Sequence, residues 1–499
     1  MAYRYEKKED GVIDLVLSGW ENGIANSAFV GIENMQNVDI FTYPTMIQAG
    51  YRSVSKKTTT DLVRWFARDP QGGQIFGVDF SGGLYNSSDL GQTWANVGGT
   101  PSNSGAGLSV WKNYLLLPGP TVMNTYGPLS GSPAWGTLTP SGSSPAMTSS
   151  IWHPTYVGPE DDFVWVGNTR DVGQLIEVIG STFDPGNSAT YLWNTKALKS
   201  GLPQYYTIKT IAGLGLNLYL GTFQGTNITD RASADLFVWD RTNPRYNNVI
   251  KLDVNGINML KAQNNLVYIY AGIGADICYT NSTVTSIYKR NYNVLFPNPA
   301  QHASPQPGAI AFLNNLDLLI GMSYLGGNAV GPLGVYAIRT TPSGAVSVLR
   351  NLASTGNSTL IRIGAIMVID RERFIFSWSD ETGGPPVYGI DAVGFDGRYM
   401  DYSSQVDMDV IPVGTKTLPK TFVECEVRLA KPLGASDGVK VWFRKSDSGS
   451  FTLIKDFDGS SDLLGQVSAQ AEAGINDATI VQVRVQLKGD ALLKEIRLR

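Results

Sequence analysis

The feature that most constrains this sequence is a unit that recurs between residues 58 and 413, at intervals of roughly 35 to 55 residues. Each copy holds an apolar strand, a short turn, a second apolar strand that often ends in glycine, and a polar hairpin. The clear copies span 208–221, 257–272, 310–321 and 363–376, and weaker ones start near Leu108 and Ser150. A period in this range, with several short strands per unit, is typical of propeller blades, which close into a ring because no blade buries both faces alone. We therefore predict a β-propeller of about seven blades, with six or eight as alternatives.

The composition favours strands and turns over helices. The 499 residues include 55 Gly and 25 Pro, which favour turns, and 23 Tyr, 18 Phe and 11 Trp, which favour strands. Charged residues make up only 16% of the chain, below the roughly 25% of an ordinary soluble domain. This argues against a coiled coil or a largely disordered chain and indicates an all-β fold class.

The repeat does not cover the two ends of the chain. Residues 1–57 show no helical or strand period over any length, apart from a candidate strand at 12–17, and we interpret them as an extended N-terminal arm. The last unit ends at Pro412-Val413-Gly414. The sequence predicts a propeller over 58–413 and a small C-terminal β-sandwich over 414–499. The sandwich is indicated by strand-like alternation of apolar and polar residues at 423–429, 439–444, 480–487 and 492–498.

One unit carries a short turn motif. Residues 87–94 fit the pattern Ser-x-Asp-x-Gly-x-Thr-Trp, which resembles the Asp-box of sialidase-type propellers. Asp89 can accept backbone N–H groups within the hairpin, and Ser87 and Thr93 can brace the same turn. Gly91 allows a positive φ, and Trp94 supplies a ring that packs beside the next strand. In families that carry the box it lies on the blade rim, so we expect a structural role and not a catalytic one.

Candidates for catalysis and metal binding are few. The chain has two His, His153 and His302, and two Cys, Cys278 and Cys425, all far apart in sequence. Because a Cys/His zinc site needs three or four clustered ligands, we predict no metal site, no cofactor and no catalytic residue. We expect both cysteines to be buried free thiols, and His153, which precedes Pro154, to be a turn residue.

A sialidase-type activity would need three arginines around a carboxylate. Arg52 and Arg64 are the nearest candidates, but the chain lacks the Arg-Ile-Pro-like motif of that family. We therefore predict that the protein is not an enzyme. A sialidase-like glycoside hydrolase is kept as the third interpretation, and it requires three Arg and a carboxylate pair at the propeller axis.

The charges indicate no strong attraction to nucleic acid. The net charge is −4, so no global basic field holds a phosphate backbone. The acidic runs at 160–162 and 380–381 are interpreted as solvated loops, with a Ca²⁺ site as the alternative at 161–162. A modest basic group is interpreted as solvated or facing another subunit, with DNA contact as the alternative; it comprises Arg52, Lys56, Lys57, Arg64 and Arg68.

The N-terminus and the hydropathy pattern bear on location. The first residues are charged and lack the apolar core of a secretory signal, and no stretch of about 18 apolar residues occurs. We therefore expect no membrane span and synthesis in the cytoplasm.

Residues 20–40, followed by Pro44, resemble the opening of certain structural proteins of tailed phages. Those chains begin with a Gly-rich segment, an Asn of the type of Asn37, a Pro-containing turn and a basic residue such as Arg52, and then continue into a propeller and a terminal β-sandwich. The class includes tail-nozzle proteins of short-tailed phages and the related packaged-DNA stabilisation proteins. The intact Asp-box departs from that pattern.

The resemblance implies a homo-oligomeric ring, commonly of six subunits, around a DNA channel below the portal. The expected partners are portal or adaptor proteins, other tail proteins, and double-stranded DNA that passes during genome ejection without sequence-specific binding. The protein would reside in the virion tail after synthesis in the host cytoplasm. The arm would order on a neighbouring subunit or on the adaptor ring through Trp20, Phe29, Asn37, Phe41, Pro44 and Arg52.

The expected function is that of a non-enzymatic virion protein in the nozzle or the head-to-tail connector. The alternative is a receptor- or glycan-binding tail protein that contacts sugars through Trp442 and Phe443 of the C-terminal module. Strand alternation predicts that one of these two rings faces the core and the other faces outward.

Overall fold

The computed structural model of the 499-residue chain describes most of the sequence. The described residues are 3–7, 13–18, 20, 32–39, 45–99, 101, 105–158, 162–224, 233–272, 276–281, 288–291, 306–323, 334–340, 346–353, 360–382, 384–460 and 466–499. Every element with defined bounds in these ranges is a β-strand. Within them, no helix is long and apolar enough to cross a membrane.

The N-terminal part of the chain contributes six strands. They are β1 (Tyr3–Lys7), β2 (Ile13–Leu17), β3 (Ile32–Gln36), β4 (Val38–Asp39), β5 (Ile47–Ala49) and β6 (Tyr51–Thr59). The first five belong to a module described below, and β6 belongs to the propeller.

The described residues form seven units of four antiparallel strands, so the predicted propeller is confirmed with seven blades. Blade 1 holds β7 (Val63–Arg68), β8 (Ile75–Asp79), β9 (Leu84–Ser87) and β10 (Ala95–Val97). Blade 2 holds β11 (Ser109–Trp111), β12 (Tyr114–Pro118), β13 (Met123–Gly127) and β14 (Ala134–Leu138). Blade 3 holds β15 (Thr155–Val157), β16 (Phe163–Asn168), β17 (Asp171–Glu177) and β18 (Tyr191–Asn194).

The second half of the ring follows the same order. Blade 4 holds β19 (Tyr206–Leu214), β20 (Asn217–Gln224), β21 (Ser233–Trp239) and β22 (Asn248–Asn255). Blade 5 holds β23 (Ile257–Gln263), β24 (Leu266–Ala271), β25 (Asp276–Asn281) and β26 (Tyr288–Asn291). Blade 6 holds β27 (Ile310–Leu313), β28 (Asp317–Met322), β29 (Gly334–Thr340) and β30 (Val346–Ala353). Blade 7 holds β31 (Ile361–Val368), β32 (Phe374–Asp380), β33 (Val387–Arg398) and, as its outermost strand, β6.

The ring is closed at two levels. The first strands of neighbouring blades contact one another from β7 through β11, β15, β19, β23, β27 and β31 and back to β7. The outermost strand of blade 7 comes from the other side of the sequence, because β6 pairs antiparallel with β33 from Tyr388↔Thr59 to Arg398↔Tyr51. This strand crosses the boundary that we predicted between the arm at 1–57 and the propeller at 58–413, so the two do not divide there.

The tight hairpins between first and second strands follow from their turn residues. In blades 2 and 5 the turns are Lys112-Asn113 and Asn264-Asn265, whose φ angles lie between 47° and 66°. Two consecutive residues at positive φ give the mirror-image turn whose twist matches that of the strands, and Asn tolerates this conformation well. The short turn folds into a two-residue hairpin in blades 2, 4 and 5, whereas the corresponding turns of blades 6 and 7 are longer.

Neighbouring blades are also joined by buried hydroxyl groups. Ser377 Oγ on β32 donates to Val63 O on β7 at 2.5 Å and accepts from Ala365 N at 2.8 Å. Thr210 Oγ1 on β19 accepts from Leu260 N on β23 at 3.2 Å. These side chains satisfy backbone groups at blade interfaces that no strand ladder reaches.

The remaining strands form a second module of two sheets. They are β34 (Ser404–Met408), β35 (Ile411–Pro412), β36 (Lys420–Leu429), β37 (Gly438–Arg444), β38 (Thr452–Asp458), β39 (Ser468–Ala478), β40 (Ile480–Lys488) and β41 (Leu492–Leu498). One sheet has the order β1-β2-β41-β36-β39, with β4 and β5 attached to β41. The other has the order β3-β34-β40-β37-β38, with β35 attached to β40. One buried apolar cluster takes residues from both sheets, including Leu15, Val427, Ile496, Val441 and Val485.

This module changes the expected division of the chain. The C-terminal strands do not stand alone at 414–499, because β2, β3 and β5 from the N-terminal arm pair with strands of the last hundred residues, and β1 pairs with β2. The arm lacked a visible period because its partners are distant in sequence, and short strands leave little local pattern. Sandwich packing of the two sheets stays a prediction.

The propeller and the two-sheet module are joined by the backbone and by ion pairs. β3 pairs in parallel with β30, the last strand of blade 6, at Gln36↔Asn351. At the end of β33, the Arg398 guanidinium donates to Ala49 O at 2.6 Å and lies 3.5 Å from the Asp39 carboxylate. The propeller and the two-sheet module are therefore connected by strand pairing and by ion pairs, and not by a single linker alone.

Candidate functional site

Residues on or directly beside the first strands of all seven blades line a central cavity of about 630 Å³. Ring closure creates this cavity, because each first strand presents residues toward the axis. Most of the lining residues are apolar by type, but polar groups contribute more of the exposed lining surface than apolar groups do. The lining includes Trp65, Tyr156, Thr210, Ile211, Lys261, Gln263, Phe312, Asn315 and Met367. Gly213 permits close packing here, since a Cβ at this position would lie 2.1 Å from the Tyr156 ring.

Next to the cavity, four first strands carry a register irregularity, and in three of them a single residue is extra. The pairing shifts between Val63 and Trp65 on β7, between Ile208 and Thr210 on β19, and between Ile257 and Met259 on β23. The extra residues are Arg64, Lys209 and Asn258. A β-bulge re-aims the side chain of its extra residue, and such bulges are common beside functional sites.

Two of the three re-aimed side chains, Arg64 and Lys209, approach one aromatic ring, and the third, Asn258, is hydrogen-bonded to Lys209. The Arg64 guanidinium carbon lies 4.0 Å from the ring centroid of Phe80 and 5.1 Å from that of Trp152. Lys209 Nζ lies 5.3 Å from the same Trp152 centroid and donates to Asn258 Oδ1 at 2.9 Å. We call this group, comprising Arg64, Lys209, Asn258, Phe80 and Trp152, the axial cation cluster.

The cluster concentrates positive charge where water is scarce. Burial lowers the pKa of Lys209 to about 7, and the nearby charge of Arg64 adds to this effect. Burial also lowers the pKa of Arg64 to about 10; Asp61 opposes that shift and Arg362 adds to it. Two of the Arg64 nitrogens, Nε and Nη1, are buried and have no hydrogen-bond partner. A buried hydrogen-bond donor without a partner lowers the stability of the folded protein. The two unpartnered nitrogens of Arg64 therefore require an explanation.

The glycosidase interpretation required three arginines and a carboxylate pair at the axis. The cationic neighbours of Arg64 are one further arginine, Arg362, and one lysine, Lys209. Arg362 forms an ion pair with Glu381 at 3.1 Å, and burial raises the pKa of that carboxyl. The condition of three arginines is therefore not met in this part of the chain.

The Asp-box turn connects β9 and β10 on the outer side of blade 1. Asp89 Oδ1 accepts from Ser87 Oγ at 2.8 Å and from Thr93 N at 2.8 Å, and Asp89 Oδ2 accepts from Thr93 Oγ1 at 2.6 Å. Gly91 has a φ of +93°, and Trp94 Nε1 donates to Gly91 O at 3.0 Å. Trp94 belongs to the apolar cluster that joins blades 1 and 7, so the turn braces the blade contact next to the ring closure.

The described residues of the predicted assembly arm pack on their own chain. Trp20 is fully buried in the core of the two-sheet module, and its Nε1 donates to Lys494 O at 2.9 Å. Asn37 has a φ of +53° and donates through Nδ2 to Ser403 O at 3.3 Å. Arg52 is exposed on β6. The expectation that these residues order only on a neighbouring subunit is therefore corrected for Trp20 and Asn37.

Three residues proposed for the arm, Phe29, Phe41 and Pro44, lie outside the described residues. The same holds for Glu160, Asp161 and His302, and for the side chain of Cys278. The predictions made for these positions stay predictions.

The basic residues that sequence reasoning grouped are dispersed. Arg52, Lys56 and Lys57 lie on the outermost strand of blade 7, whereas Arg64 and Arg68 lie on the innermost strand of blade 1. Lys56 forms an ion pair with Asp396 at 2.8 Å. No single basic patch results from these five residues.

His153 and Cys425 are buried structural residues. His153 Nδ1 lies 2.7 Å from Gly167 O, and its Nε2 lies 3.1 Å from Pro120 O, so the ring joins blades 2 and 3. Burial lowers the pKa of His153. Cys425 is a buried free thiol whose pKa burial raises to about 12, with Glu424 and Glu426 adding. Among the described residues no group of three or more His, Cys, Asp or Glu has the arrangement of a metal site.

The two aromatic residues of the proposed sugar module are both half-buried. Phe443 packs against the core of the two-sheet module and lines an open groove between the edge strands β38 and β39. Trp442 donates through Nε1 to Gln486 Oε1 at 2.9 Å on the neighbouring strand β40. Neither ring is exposed in the way that the glycan-binding interpretation required.

The comparisons with known proteins find similarity among solved structures alone. No family model and no curated protein matches the chain. Among solved structures, it is similar to the β-propeller domain of Myceliophteria thermophila Cps50 (Swd1), with 11% sequence identity and a TM-score of 0.45. The similarity covers 68% of this chain and 99% of that domain. A likeness at this level carries no argument, so the propeller assignment rests on the strand pairing described above.

Sequence reasoning missed the axial cation cluster as a unit. It noted Arg64 as one of several basic residues and did not single out Lys209 or Asn258. The only signal was weak: a polar residue in an otherwise apolar first strand, as in Ile208-Lys209-Thr210 and Ile257-Asn258-Met259.

Proposed function

We propose that the protein is a non-enzymatic structural subunit of a phage tail, in the nozzle or the head-to-tail channel, and that it acts as one member of a ring, with six subunits expected. The observation that carries the proposal is the joining of the propeller to the two-sheet module. β3 continues the sheet of blade 6 into the module, so one sheet of ten strands runs through both parts. A subunit that forms the wall of a channel has to resist displacement by the passing genome, and a shared sheet gives this resistance.

In this proposal DNA passes beside the propeller and not through it. The first strands of neighbouring blades contact one another around the axis, and the axial cavity holds only about 630 Å³. A double helix, whose major groove alone is about 12 Å wide, does not fit there. The channel would instead lie between subunits, and a net charge of −4 would let DNA slide without adhering.

The test is the mass of the full chain in solution, alone and with the portal and adaptor proteins of a short-tailed phage, by light scattering. We expect a 54.0 kDa monomer that forms a closed ring when these partners are added. Arg52→Glu places a reversed charge on the exposed part of β6 and should weaken ring formation, whereas Lys251→Glu, an exposed site on blade 4, serves as the matched control.

A stable monomer or trimer that ignores these partners would contradict the proposal. The receptor- or glycan-binding role would then be the better one, and the open groove between β38 and β39 is where a sugar would be sought. A glycan array with wild-type and Phe443→Ala protein would decide that case.

A further inference from the structure

The axial cation cluster brings two cationic side chains together at a buried position, and one of them, Arg64, has unpartnered nitrogens. Arg64 forms no ion pair among the described residues. The two carboxylates whose charges raise the pKa of Arg64 are Asp61 and Asp79. Both accept hydrogen bonds from other groups. Asp79 accepts from Gly83 N at 2.6 Å and from Tyr85 Oη at 2.9 Å. Asp61 accepts from its neighbour Leu62 N at 2.7 Å and from a serine hydroxyl.

The contacts that Arg64 does make leave its hydrogen-bonding capacity unused. Phe80 and Trp152 lie within cation–π distance of the guanidinium, which stabilises its charge. Aromatic faces do not replace an oxygen acceptor, and Nε and Nη1 have none. Buried charged groups in proteins are normally paired, because burying an unpaired charge is costly.

A second cation is directed to the same place. Lys209 contacts the same Trp152 ring, and the bulge in β19 gives it this direction. Proteins rarely bring two cations together in a buried position unless an anion lies between them, since like charges repel strongly where water is scarce. Asn258 adds an amide that orients Lys209 through the bond to its Nζ.

We propose that Arg64, Lys209 and Asn258 form a binding site for a small oxyanion, a carboxylate or a phosphate monoester, at the axis of the propeller. The oxyanion accepts hydrogen bonds from the free nitrogens of Arg64 and neutralises the charge shared with Lys209. Charge-assisted hydrogen bonds of this kind are the strong ones in proteins. The proposed anion site does not depend on a role in a phage tail. The anion-binding test and the ring-formation test can therefore fail independently of each other.

The experiment is calorimetric titration of the full chain at constant ionic strength, with sodium phosphate in one series and sodium acetate in the other, against a chloride background. Constant ionic strength removes general screening effects. We expect saturable binding of at least one of the two anions, and the tighter one identifies the ligand as a phosphate or a carboxylate. No saturable binding of either anion would overturn the proposal.

Matched variants locate the site. Arg64→Gln removes the charge and should weaken binding about tenfold or more, because a hydrogen bond to a charged group is worth about 1.5–3 kcal/mol. Arg68→Gln removes an exposed arginine from the same strand and should leave binding unchanged. Equal weakening by both variants would overturn the assignment.

A second measurement covers the case in which Arg64→Gln does not fold. Arg64→Lys keeps the charge, and the anion should still raise its melting temperature, since a ligand that binds only the folded state stabilises it. Lys209→Gln should reduce that rise in the otherwise wild-type protein. If the anion raises the melting temperature of both variants as much as that of the wild type, it binds elsewhere, and the proposal is overturned.

Discussion

Lys209 gives the propeller a pH dependence whose direction can be worked out. Burial lowers its pKa to about 7, with Arg64 adding, whereas a lysine in an unfolded chain titrates near 10.4. Between these values the unfolded chain binds a proton that the folded chain does not, so the free energy of unfolding rises with pH, by up to about 1.4 kcal/mol per pH unit. Below pH 7 both states are protonated, and the full cost of burying the charge is present.

We predict that Lys209→Met flattens this dependence and stabilises the protein most at or below pH 7. Chemical denaturation at pH 7, 8 and 9 measures it, in a buffer free of phosphate and carboxylates. Lys251→Met, at an exposed position on β22, is the control and should leave the slope as it is in the wild type. Identical slopes for wild type and Lys209→Met would show that Lys209 keeps its proton in the folded state.

At the scale of residues, the side-chain contacts that could be predicted were those between residues close together in the sequence. The Asp-box hydrogen bonds join residues within one turn, so Ser87, Asp89 and Thr93 were assigned from their spacing alone. The axial cation cluster joins Arg64, Lys209 and Asn258 from three blades, and bulges bring them together. A bulge changes which face a residue points to without leaving a mark in the composition, so no spacing rule could place these three side chains side by side.

The closing strand β6 is held by a buried side-chain network that reaches three strands. Asp391 on β33 accepts from Ser53 Oγ on β6 at 2.9 Å and from Trp378 Nε1 on β32 at 2.6 Å. Burial raises the pKa of the Asp391 carboxyl, while these two donors oppose that shift. Asp396, on the same strand, makes only a surface ion pair with Lys56 at 2.8 Å.

We predict that Asp391→Ala lowers the free energy of unfolding by about 2 kcal/mol, because it leaves the half-buried indole N–H of Trp378 without its acceptor. Asp396→Ala should cost less than about 1 kcal/mol, as surface pairs do. Urea denaturation of the two variants beside wild type measures both values. A cost at Asp391 no larger than that at Asp396 would mean that the network does not hold the closing strand.

At the scale of elements, the sequence predicted the blades and missed the closure. Hairpins such as Lys112-Asn113 and Asn264-Asn265 separate two apolar runs that pair with each other, so a local pattern reveals them. β6 and β33 are more than three hundred residues apart in sequence, and β6 contains more polar than apolar residues. The residue pattern of β6 alone does not indicate that this strand pairs with β33.

At the scale of the whole molecule, the two ends of the chain form one structure. The C-terminal Arg499 donates through Nη1 to Glu424 Oε1 on β36 at 2.7 Å and through Nε to Asp14 Oδ2 on β2 at 3.3 Å. Asp14 is fully buried, although it lies in the segment that we predicted to be an arm. The N-terminal segment is thus an integral part of the two-sheet module and, through β6, of the propeller.

This arrangement changes what truncation should do. An arm that orders only on another subunit could be removed and leave a folded propeller. We predict instead that deletion of residues 1–59 abolishes cooperative folding, because it removes β6 from blade 7 and exposes the edge of β33 and the core around Val427 and Ile496 to solvent.

Deletion of residues 1–8 is the control: it removes the edge strand β1 alone and should leave a monomer with a single melting transition. Size-exclusion chromatography and scanning calorimetry of both truncated proteins measure the difference. A monomeric protein lacking residues 1–59 that melts cooperatively near the wild-type temperature would show that the propeller closes without its N-terminal strand, and it would restore the interpretation of this segment as a detachable arm.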